Sequence, residues 1–428
     1  SIIFMFIFLP LVLLAYYMIP VNKIQNIVLF AASLIFYFCG AGNYIVIILL
    51  SIFVNYLAGL AIAYIGRLKI ILVADMIFNL GLLVYFKYAD FLLEQYSVIT
   101  KNHVQFLNTV LPIGISFFTF QGLSYVFDLY RGKIEVQKNP VYIGLYITMF
   151  PQLIAGPIVR YADISYRITN RAHSLDKIAD GICRFTIGLA KKAILADSVG
   201  SVADQVFQTS YTEHAVFTCW LGIICYTFQI LFDFMGYSDM AIGIGKMFGF
   251  DFPENFDLPY TSKSIQEFWR RWHMTLGAFF RDYVYIPLGG GKKKVYRNLW
   301  IVFFLTGLWH GASWNFIIWG LWHGSFLMLE RMINSKGDWL KNANPVLRNI
   351  VTLAVVMIGW IIFRAEDMQY AVGFIGRMIG IPNTTSVYLK PEFYMDRYLL
   401  FILIICLLQS FGVGKIVADQ WKQLKYNR

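Results

Sequence analysis

Charged residues are scarce in this chain. Asp, Glu, Lys and Arg together make up 14% of its 428 residues, whereas ordinary soluble domains carry about a quarter. Hydrophobic residues make up 58% of the chain, and the mean hydropathy is +0.59. A soluble protein of this composition would expose large apolar patches. The scarcity of charge therefore excludes an ordinary soluble domain and indicates a protein that is solvated by lipid.

Several common catalytic motifs are also absent. The sequence contains no GxxxxGK[ST] loop, no HExxH, no GxSxG, and no GxGxxG between a strand and a helix, which excludes the enzyme classes that depend on them. Its five cysteines have no CxxC spacing and lie mostly in apolar runs. We interpret them as small buried hydrophobic residues rather than as disulfides or metal ligands, and we predict no metal site.

Apolar runs recur along the whole chain. Several of them fall short of the about 20 residues that a helix needs to cross about 30 Å of hydrocarbon. Irregular backbone at membrane depth is tolerated only beside protein or a wet cavity. We therefore predict an all-α polytopic membrane protein, with a ring of about eleven transmembrane helices and some re-entrant or interfacial helices around a central cavity. The runs are 2–19, 27–38, 44–65, 70–86, 112–127, 141–159, 182–196, 215–232, 298–329, 351–363 and 398–411.

No linker, low-complexity tract or internal repeat divides the sequence. Residues 1–428 are therefore predicted to form a single membrane-embedded domain, with an interfacial amphipathic segment at about 261–297 and a catalytic segment at about 298–330. The run 2–19 lacks a basic N-terminal region and a small-residue cleavage site. We interpret it as a retained span rather than as a signal peptide.

Positive charge exceeds negative charge by 11, and it gathers in the loops 131–138, 160–177 and 263–297. The last of these contains eight Lys or Arg residues against Glu267 and Asp282. Because Lys and Arg are enriched in cytoplasmic loops of membrane proteins, we predict that 263–297 faces the cytoplasm. This surface could also attract an anionic donor such as a coenzyme thioester, whereas nucleic-acid binding is not inferred.

Within 264–285, apolar residues recur at steps of three and four, which predicts one amphipathic helix. Arginines lie mostly off this apolar stripe, and Trp269 and Trp272 suit the level of the lipid headgroups. We predict a helix that lies in the cytoplasmic interface or dips into it, and that ends at Pro287 and 289–291. The stripe consists of Ile265, Phe268, Trp272, Leu276, Phe279 and Tyr283.

The segment 298–329 is too long for one comfortable crossing, since its 32 residues would make a helix of about 48 Å. It is also too short for two full spans and a turn. Gly307, Gly311 and Ser313 flank the pair Trp309-His310, so a break is predicted there. His310 then lies about 18 Å into the segment, near the middle of the bilayer.

An ionisable residue at that depth is a functional hypothesis by default. Histidine suits proton transfer near neutral pH, and moving an acyl group from a thioester to a hydroxyl needs a base that takes the hydroxyl proton. We therefore interpret His310 as a catalytic base. The alternative is a structural histidine that bridges two helices.

His323 repeats the Trp-His-Gly context thirteen residues later. In an unbroken helix the two histidines would point about 220° apart, so only a break near Gly311 could bring both to one cavity. A catalytic role and simple helix packing both remain open for His323. We expect Trp309, Trp314 and Asn315 to line the cavity.

The basic segment supplies candidate donor-binding residues. Arg270, Arg271 and His273 lie on the amphipathic stretch, and Lys292, Lys293 and Lys294 follow it. His273 could equally have an interfacial structural role.

Two carboxylates, Asp233 and Asp239, end an apolar run. Because unpaired carboxylates there are costly, we expect them to pair with Arg270 or Arg271, or to line the site.

At these residues the sequence resembles a known family. The runs FDFMGYSDMAIGIGKMFGFDFPENFDLPYTSKSIQEFWRRWHMTLGAFFRDYVYIPLGGG and LTGLWHGASWNFIIWGLWHG resemble membrane-bound O-acyltransferases of the alginate O-acetylation type. PIGISFFTFQGLSYVFDLYRG and FPQLIAGPIVRY look like the same family, so the resemblance covers nearly the whole chain.

The resemblance implies a ring of helices around a thin centre, with a cytoplasmic donor opening and an outer acceptor opening. It implies acetyl-CoA as a donor substrate without a bound cofactor. It also implies a polysaccharide acceptor, an extracytoplasmic hydrolase-like partner, and a location in the bacterial cytoplasmic membrane. The essential histidine of the family falls at His310, and Arg270 and Arg271 match its WRRWH stretch.

Relatives that transfer D-alanine to teichoic acid carry a further histidine in a later span, where this chain reads MIGWIIFRAED around Trp360. This difference favours acetylation over D-alanylation or another acyl transfer to a wall polymer. A proton-coupled transporter and a non-catalytic scaffold for polysaccharide assembly are the alternatives from other classes. The acceptor polysaccharide stays open.

Overall fold

The chain folds into helices, each of which follows an apolar or amphipathic run. The computed structural model describes residues 2–154, 156–335, 337, 342–382, 388–414, 416 and 420, and these residues contain no β-sheet. The α-helices are α1 Leu9–Tyr17, α2 Asn22–Ala41, α3 Ile45–Tyr64, α4 Lys69–Thr100, α5 Ile115–Tyr130, α6 Pro140–Thr148, α7 Tyr161–Thr169, α8 Leu175–Ala190, α9 Asp197–Gln208, α10 Val216–Met247, α11 Ile265–Arg271, α12 Met274–Phe280, α13 Val295–His310, α14 Trp314–Ser335, α15 Pro345–Arg364, α16 Met368–Met378 and α17 Arg397–Ser410.

Short helices of other types complete the fold. The π-helical stretches are Phe4–Phe8, Lys191–Ala196 and Arg281–Tyr285, and the 3₁₀ turns are Gly42–Tyr44, Tyr211–Glu213, Pro259–Thr261 and Pro391–Phe393.

Several helical stretches are long and apolar enough to cross a membrane. Four candidates stand out in the described part of the chain: Asn22–Tyr64, Lys69–Thr100, Val216–Met247 and Pro345–Arg364. Phe4–Tyr17 and Arg397–Ser410 are shorter apolar helices. The predicted all-α polytopic membrane protein is thus confirmed, while the number of about eleven spans stays a prediction.

The chain divides into two compact units, and the predicted single membrane-embedded domain stays a prediction. The first unit comprises Ser1–Thr186 and Ser238–Pro253, and the second comprises Ile187–Tyr237 and Glu254–Arg428. In the first unit, α5 packs against α3 and α4, and α2 packs against α6. In the second unit, α14 packs against α13, α15 and α11.

Glycines allow α13 and α14 to approach closely. A Cβ atom added to Gly320 would collide with the carbonyl oxygen of Phe303, and one added to Gly307 would collide with the carbonyl oxygen of Phe316. Backbone therefore lies against backbone along this helix pair. Trp319 and Trp360, each 1% exposed, fill the core beside it.

The predicted single helix over 264–285 is wrong. Two short helices, α11 and α12, flank His273, whose φ of 45° places it in the left-handed region. The cause lies in a neighbouring loop, because the Asn255 carbonyl accepts from Met274 N at 2.9 Å and its side-chain oxygen accepts from Thr275 N at 3.3 Å. The backbone amides of Met274 and Thr275 therefore donate to Asn255 and not to the preceding turn of a helix. Every residue of the predicted apolar stripe is nevertheless buried.

The two tryptophans of this segment also differ from the prediction. Trp272 is 4% exposed, and its ring centroid lies 4.9 Å from that of Trp360. Trp269 packs 5.5 Å from Phe303 and 5.6 Å from Trp319. Both side chains therefore contribute to the protein interior instead of marking the headgroup level.

Candidate active site

The predicted break in 298–329 is confirmed. Helix α13 ends at His310, Gly311 is extended, and α14 begins at Trp314. Because the chain reverses here, His310 stands at the tip of a helical hairpin whose two arms are packed together. The break thus places the histidine at the end of a helix, where a substrate could reach it.

Three aromatic rings surround the partly buried imidazole of His310. Its centroid lies 4.9 Å from that of Trp309, 4.8 Å from Trp319 and 5.3 Å from Phe363, in each case at an edge-on angle. Trp319 comes from α14 and Phe363 from α15. The tip of the hairpin and the end of a third helix therefore build one aromatic box around this histidine.

His323 contacts the same aromatic box through Trp319. Its ring centroid lies 5.3 Å from that of Trp319, the residue that also contacts His310. The side chain is fully buried, and neither ring nitrogen has a hydrogen-bond partner within the described part of the chain. The break therefore brings both histidines to one aromatic cluster, as the sequence required for any joint role.

His273 is the third histidine of this region. It is 2% exposed, its Nδ1 lies 3.1 Å from Asn255 Oδ1, and its ring centroid lies 6.0 Å from that of Trp309. Burial lowers the pKa of His273 well below its ordinary value, and nearby His310 lowers this pKa further. The structure thus places a buried imidazole beside the aromatic box, and a donor-binding role for His273 stays a prediction.

The other predicted donor-binding residues occupy different environments. Lys292, Lys293, Lys294 and Arg270 are exposed, whereas Arg271 pairs with Glu267 at 2.9 Å. The lysines immediately precede α13, whose 16 residues rise about 24 Å to His310. The basic turn and His310 therefore mark opposite ends of one helix.

The two carboxylates do not pair with the predicted arginines. Asp233 lies 2.7 Å from Lys192, and Asp239 lies 2.6 Å from Arg184. Both pairs join α10 to the helical segment 175–196, and the apolar run 215–232 does not encode this contact between distant segments. Asp239 belongs to the first unit and Asp233 to the second.

The predicted cavity-lining residues take separate roles. Trp309 is 9% exposed and walls the box, whereas Trp314 is 54% exposed. The Asn315 side chain donates to the Ala365 carbonyl at 2.7 Å. Asn315 thereby ties the start of α14 to the end of α15, which keeps Phe363 beside His310.

Residues 136–363 match the MBOAT, membrane-bound O-acyltransferase family. The chain belongs to this family. The matched range includes all three histidines, the basic turn and both carboxylates discussed above. The protein is therefore an acyltransferase, and its apolar helices agree with a multi-pass integral membrane protein.

Relatives of this acyltransferase include three bacterial proteins. A probable alginate O-acetylase of Azotobacter vinelandii is 43% identical over 97% of this chain and 85% of its own length. A peptidoglycan O-acetyltransferase of Helicobacter pylori is 36% identical over 91% of this chain and 81% of its own length. A teichoic acid D-alanyltransferase of Bacillus subtilis is 28% identical, over 61% of this chain and 71% of its own length.

Sequence reasoning missed two residues that shape the site of this acyltransferase. Asn255 holds His273, and Phe363 closes the box from α15. Trp319, which the sequence indicated only as packing or cavity wall, links the two other histidines. The contacts of Asn255 and Phe363 depend on segments far apart in the chain.

Proposed function

We propose that this acyltransferase moves an acetyl group from cytoplasmic acetyl-CoA to an extracytoplasmic cell-surface polysaccharide, either directly or through a partner protein. The observation that carries the proposal is the position of His310, at the tip of the α13–α14 hairpin and opposite the exposed lysines of the basic turn. Relatives named as O-acetylases or O-acetyltransferases, at 43% and 36% identity, support acetyl as the transferred group.

In the proposed reaction His310 acts as a general base. The imidazole takes the proton of an acceptor hydroxyl while that oxygen attacks the thioester carbonyl carbon. The carbon–sulfur bond then breaks, and the leaving thiolate receives the proton from the imidazolium. Acetyl-CoA is consumed as a substrate, and the step needs no bound cofactor.

The basic turn suits the other end of the donor. Lys292, Lys293 and Lys294 are exposed, and charge-assisted bonds from lysine to phosphate are strong. Because these lysines lie one helix length from His310, they would hold the coenzyme phosphates without touching the reacting carbon. Arg270 is exposed in the preceding helix and would add to this surface.

The setting that we propose is the cytoplasmic membrane of a bacterium, since the relatives are bacterial proteins. A hydrolase-like partner outside the membrane would complete transfer onto sugar hydroxyls. Transfer of D-alanine is the second candidate, supported by the relative from Bacillus subtilis. It is less favoured because that similarity covers a smaller share of the chain.

The test uses purified protein in lipid vesicles. Isotope-labelled acetyl-CoA is supplied on one side, and transfer is measured to polysaccharide or to an added partner on the other. We expect labelled acetyl on the acceptor fraction, and at least about a hundredfold less with His310→Gln. Transfer of labelled D-alanine from an activated carrier, without acetyl transfer, would instead support the second candidate and refute the first.

A further inference from the structure

A buried polar cluster lies in the first unit, among helices that the proposed reaction does not use. Asn55 of α3 and Asn79 of α4 face each other, with paired amide hydrogen bonds of 3.2 and 3.3 Å. Gln121 of α5 is 1% exposed, and both polar atoms of its amide lack a partner within the described chain. The adjacent Gly122 lies directly against the Asn55 side chain. The amide pair therefore places polar side chains of α3 and α4 inside the unit, next to α5.

Asp75 belongs to this cluster. It lies one helical turn before Asn79, whose side chain donates to the Asp75 carbonyl at 3.0 Å. Asp75 is 2% exposed, and its carboxylate oxygens lie close to the Asn79 side chain but have no ion-pair partner among the described residues. Helix α4 is a candidate membrane span, and Asp75 lies about 9 Å from its first residue. An ionised carboxylate in such a place is very costly.

Neighbouring titratable groups do not compensate a charge at Asp75. On α5, Asp128 is 3.7 Å from Lys133, and the Tyr125 hydroxyl accepts from Gln137 N at 3.2 Å. On α3, the Tyr56 hydroxyl donates to the Lys138 carbonyl at 2.8 Å. These groups on the two helices packed against α4 are thus engaged elsewhere.

A bound metal cation would need several oxygen ligands around it. The amide oxygens of Asn55 and Asn79 each already accept from the opposite amide, which leaves few oxygens beside the carboxylate. A proton needs only one carboxylate oxygen and no extra space. We propose that Asp75 is a proton-binding site, whose carboxyl group is neutral in the folded protein beside the Asn55–Asn79 amide pair.

Infrared difference spectroscopy tests this proposal on the whole protein in lipid. Wild-type protein minus Asp75→Asn at neutral pH should show the carbonyl band of a protonated acid, and this band should shift in heavy water. A difference spectrum with carboxylate bands and no protonated-acid band would overturn the proposal.

Stability measurements give an independent readout. The amide of Asp75→Asn resembles a neutral acid, so this variant should match the thermal midpoint of the wild type at low pH and equal or exceed it at neutral pH. Because deprotonation would leave an unpaired buried charge, the contribution of Asp75 to wild-type stability should be complete at low pH and fall as pH rises above the pKa of the unfolded carboxyl. Asp75→Asn should lack that part of the pH dependence.

Asp239→Asn is the matched control in the same unit. Asp239 is 3% exposed and is ion-paired with Arg184 at 2.6 Å, so its neutralisation should lower the thermal midpoint. A loss as large for Asp75→Asn as for Asp239→Asn, including failure to fold, would contradict a neutral Asp75. Stabilisation by sodium over choline that disappears in Asp75→Asn would show a bound cation and would likewise reject the proton.

Discussion

Replacing His310 separates its chemistry from its packing. The imidazole sits edge-on to Trp309, Trp319 and Phe363. His310→Phe keeps an aromatic ring in this box but cannot accept a proton, whereas His310→Gln keeps a polar group but loses the ring. The two variants therefore remove different contributions from the same position.

The expected magnitudes differ between stability and rate. Losing a general base costs about 10²–10⁴-fold in rate, which corresponds to about 2.7–5.4 kcal/mol in the activation barrier. Aromatic contacts contribute about 0.5–1.5 kcal/mol per pair, and His310→Phe retains most of them. We expect this variant to fold with near-normal stability and donor binding, while acyl transfer falls by at least about a hundredfold.

The assay measures thermal midpoint, acetyl-CoA binding and transfer rate for each purified variant. His323→Gln serves as the matched histidine control, because His323 contacts the same Trp319 but is fully buried. It should lose stability while keeping measurable transfer. A folded His310→Phe protein with the wild-type transfer rate would refute the assignment and leave His310 as a structural bridge.

Three further predictions concern the basic turn and the hairpin. Neutralising Lys292–Lys294 together should raise the KM for acetyl-CoA more than it lowers kcat, because phosphate contacts lie away from the reacting carbon; an unchanged KM at normal membrane yield would reject this role. In a background without other reactive cysteines, Lys293→Cys should be labelled by an impermeant thiol reagent only from the cytoplasmic side, and labelling from outside would reverse the proposed topology. Gly320→Ala should destabilise the protein by about 1–3 kcal/mol through overpacking, since its Cβ would collide with the Phe303 carbonyl. Gly81→Ala is the control: its Cβ would meet nothing within 4 Å, so thermal unfolding should show an unchanged or raised midpoint, and equal losses in both variants would contradict the close-packing argument.

Local sequence signals were sufficient to predict the helix break at the candidate site. Gly307, Gly311 and Ser313 interrupt a run that is too long for one span, and the chain does break between His310 and Trp314. The apolar stripe of 264–285 was also readable, because burial follows the three- and four-residue steps even where the helix itself is interrupted. Periodicity records which side chains face the interior, and it does not require an unbroken helix.

Contacts between distant segments could not be predicted from the sequence. The left-handed conformation of His273 depends on Asn255, which lies in a separate loop and bonds amide groups that a continuous helix would use. Asp233 and Asp239 pair with Lys192 and Arg184, although arginines in 270–271 were as plausible by charge alone. A buried carboxylate that stays ionised needs a partner, but the fold decides which cation is close enough.

The same distinction explains why the three histidines near the box were hard to assign individually. All share an aromatic context in the sequence, yet His323 is fully buried, His273 is held by Asn255, and His310 alone is only partly buried. A base that must take a proton from an incoming hydroxyl has to lie within hydrogen-bond reach of it. Access to substrate therefore favours His310 as the base. His273 and His323 are buried, which suits them to a structural role around His310.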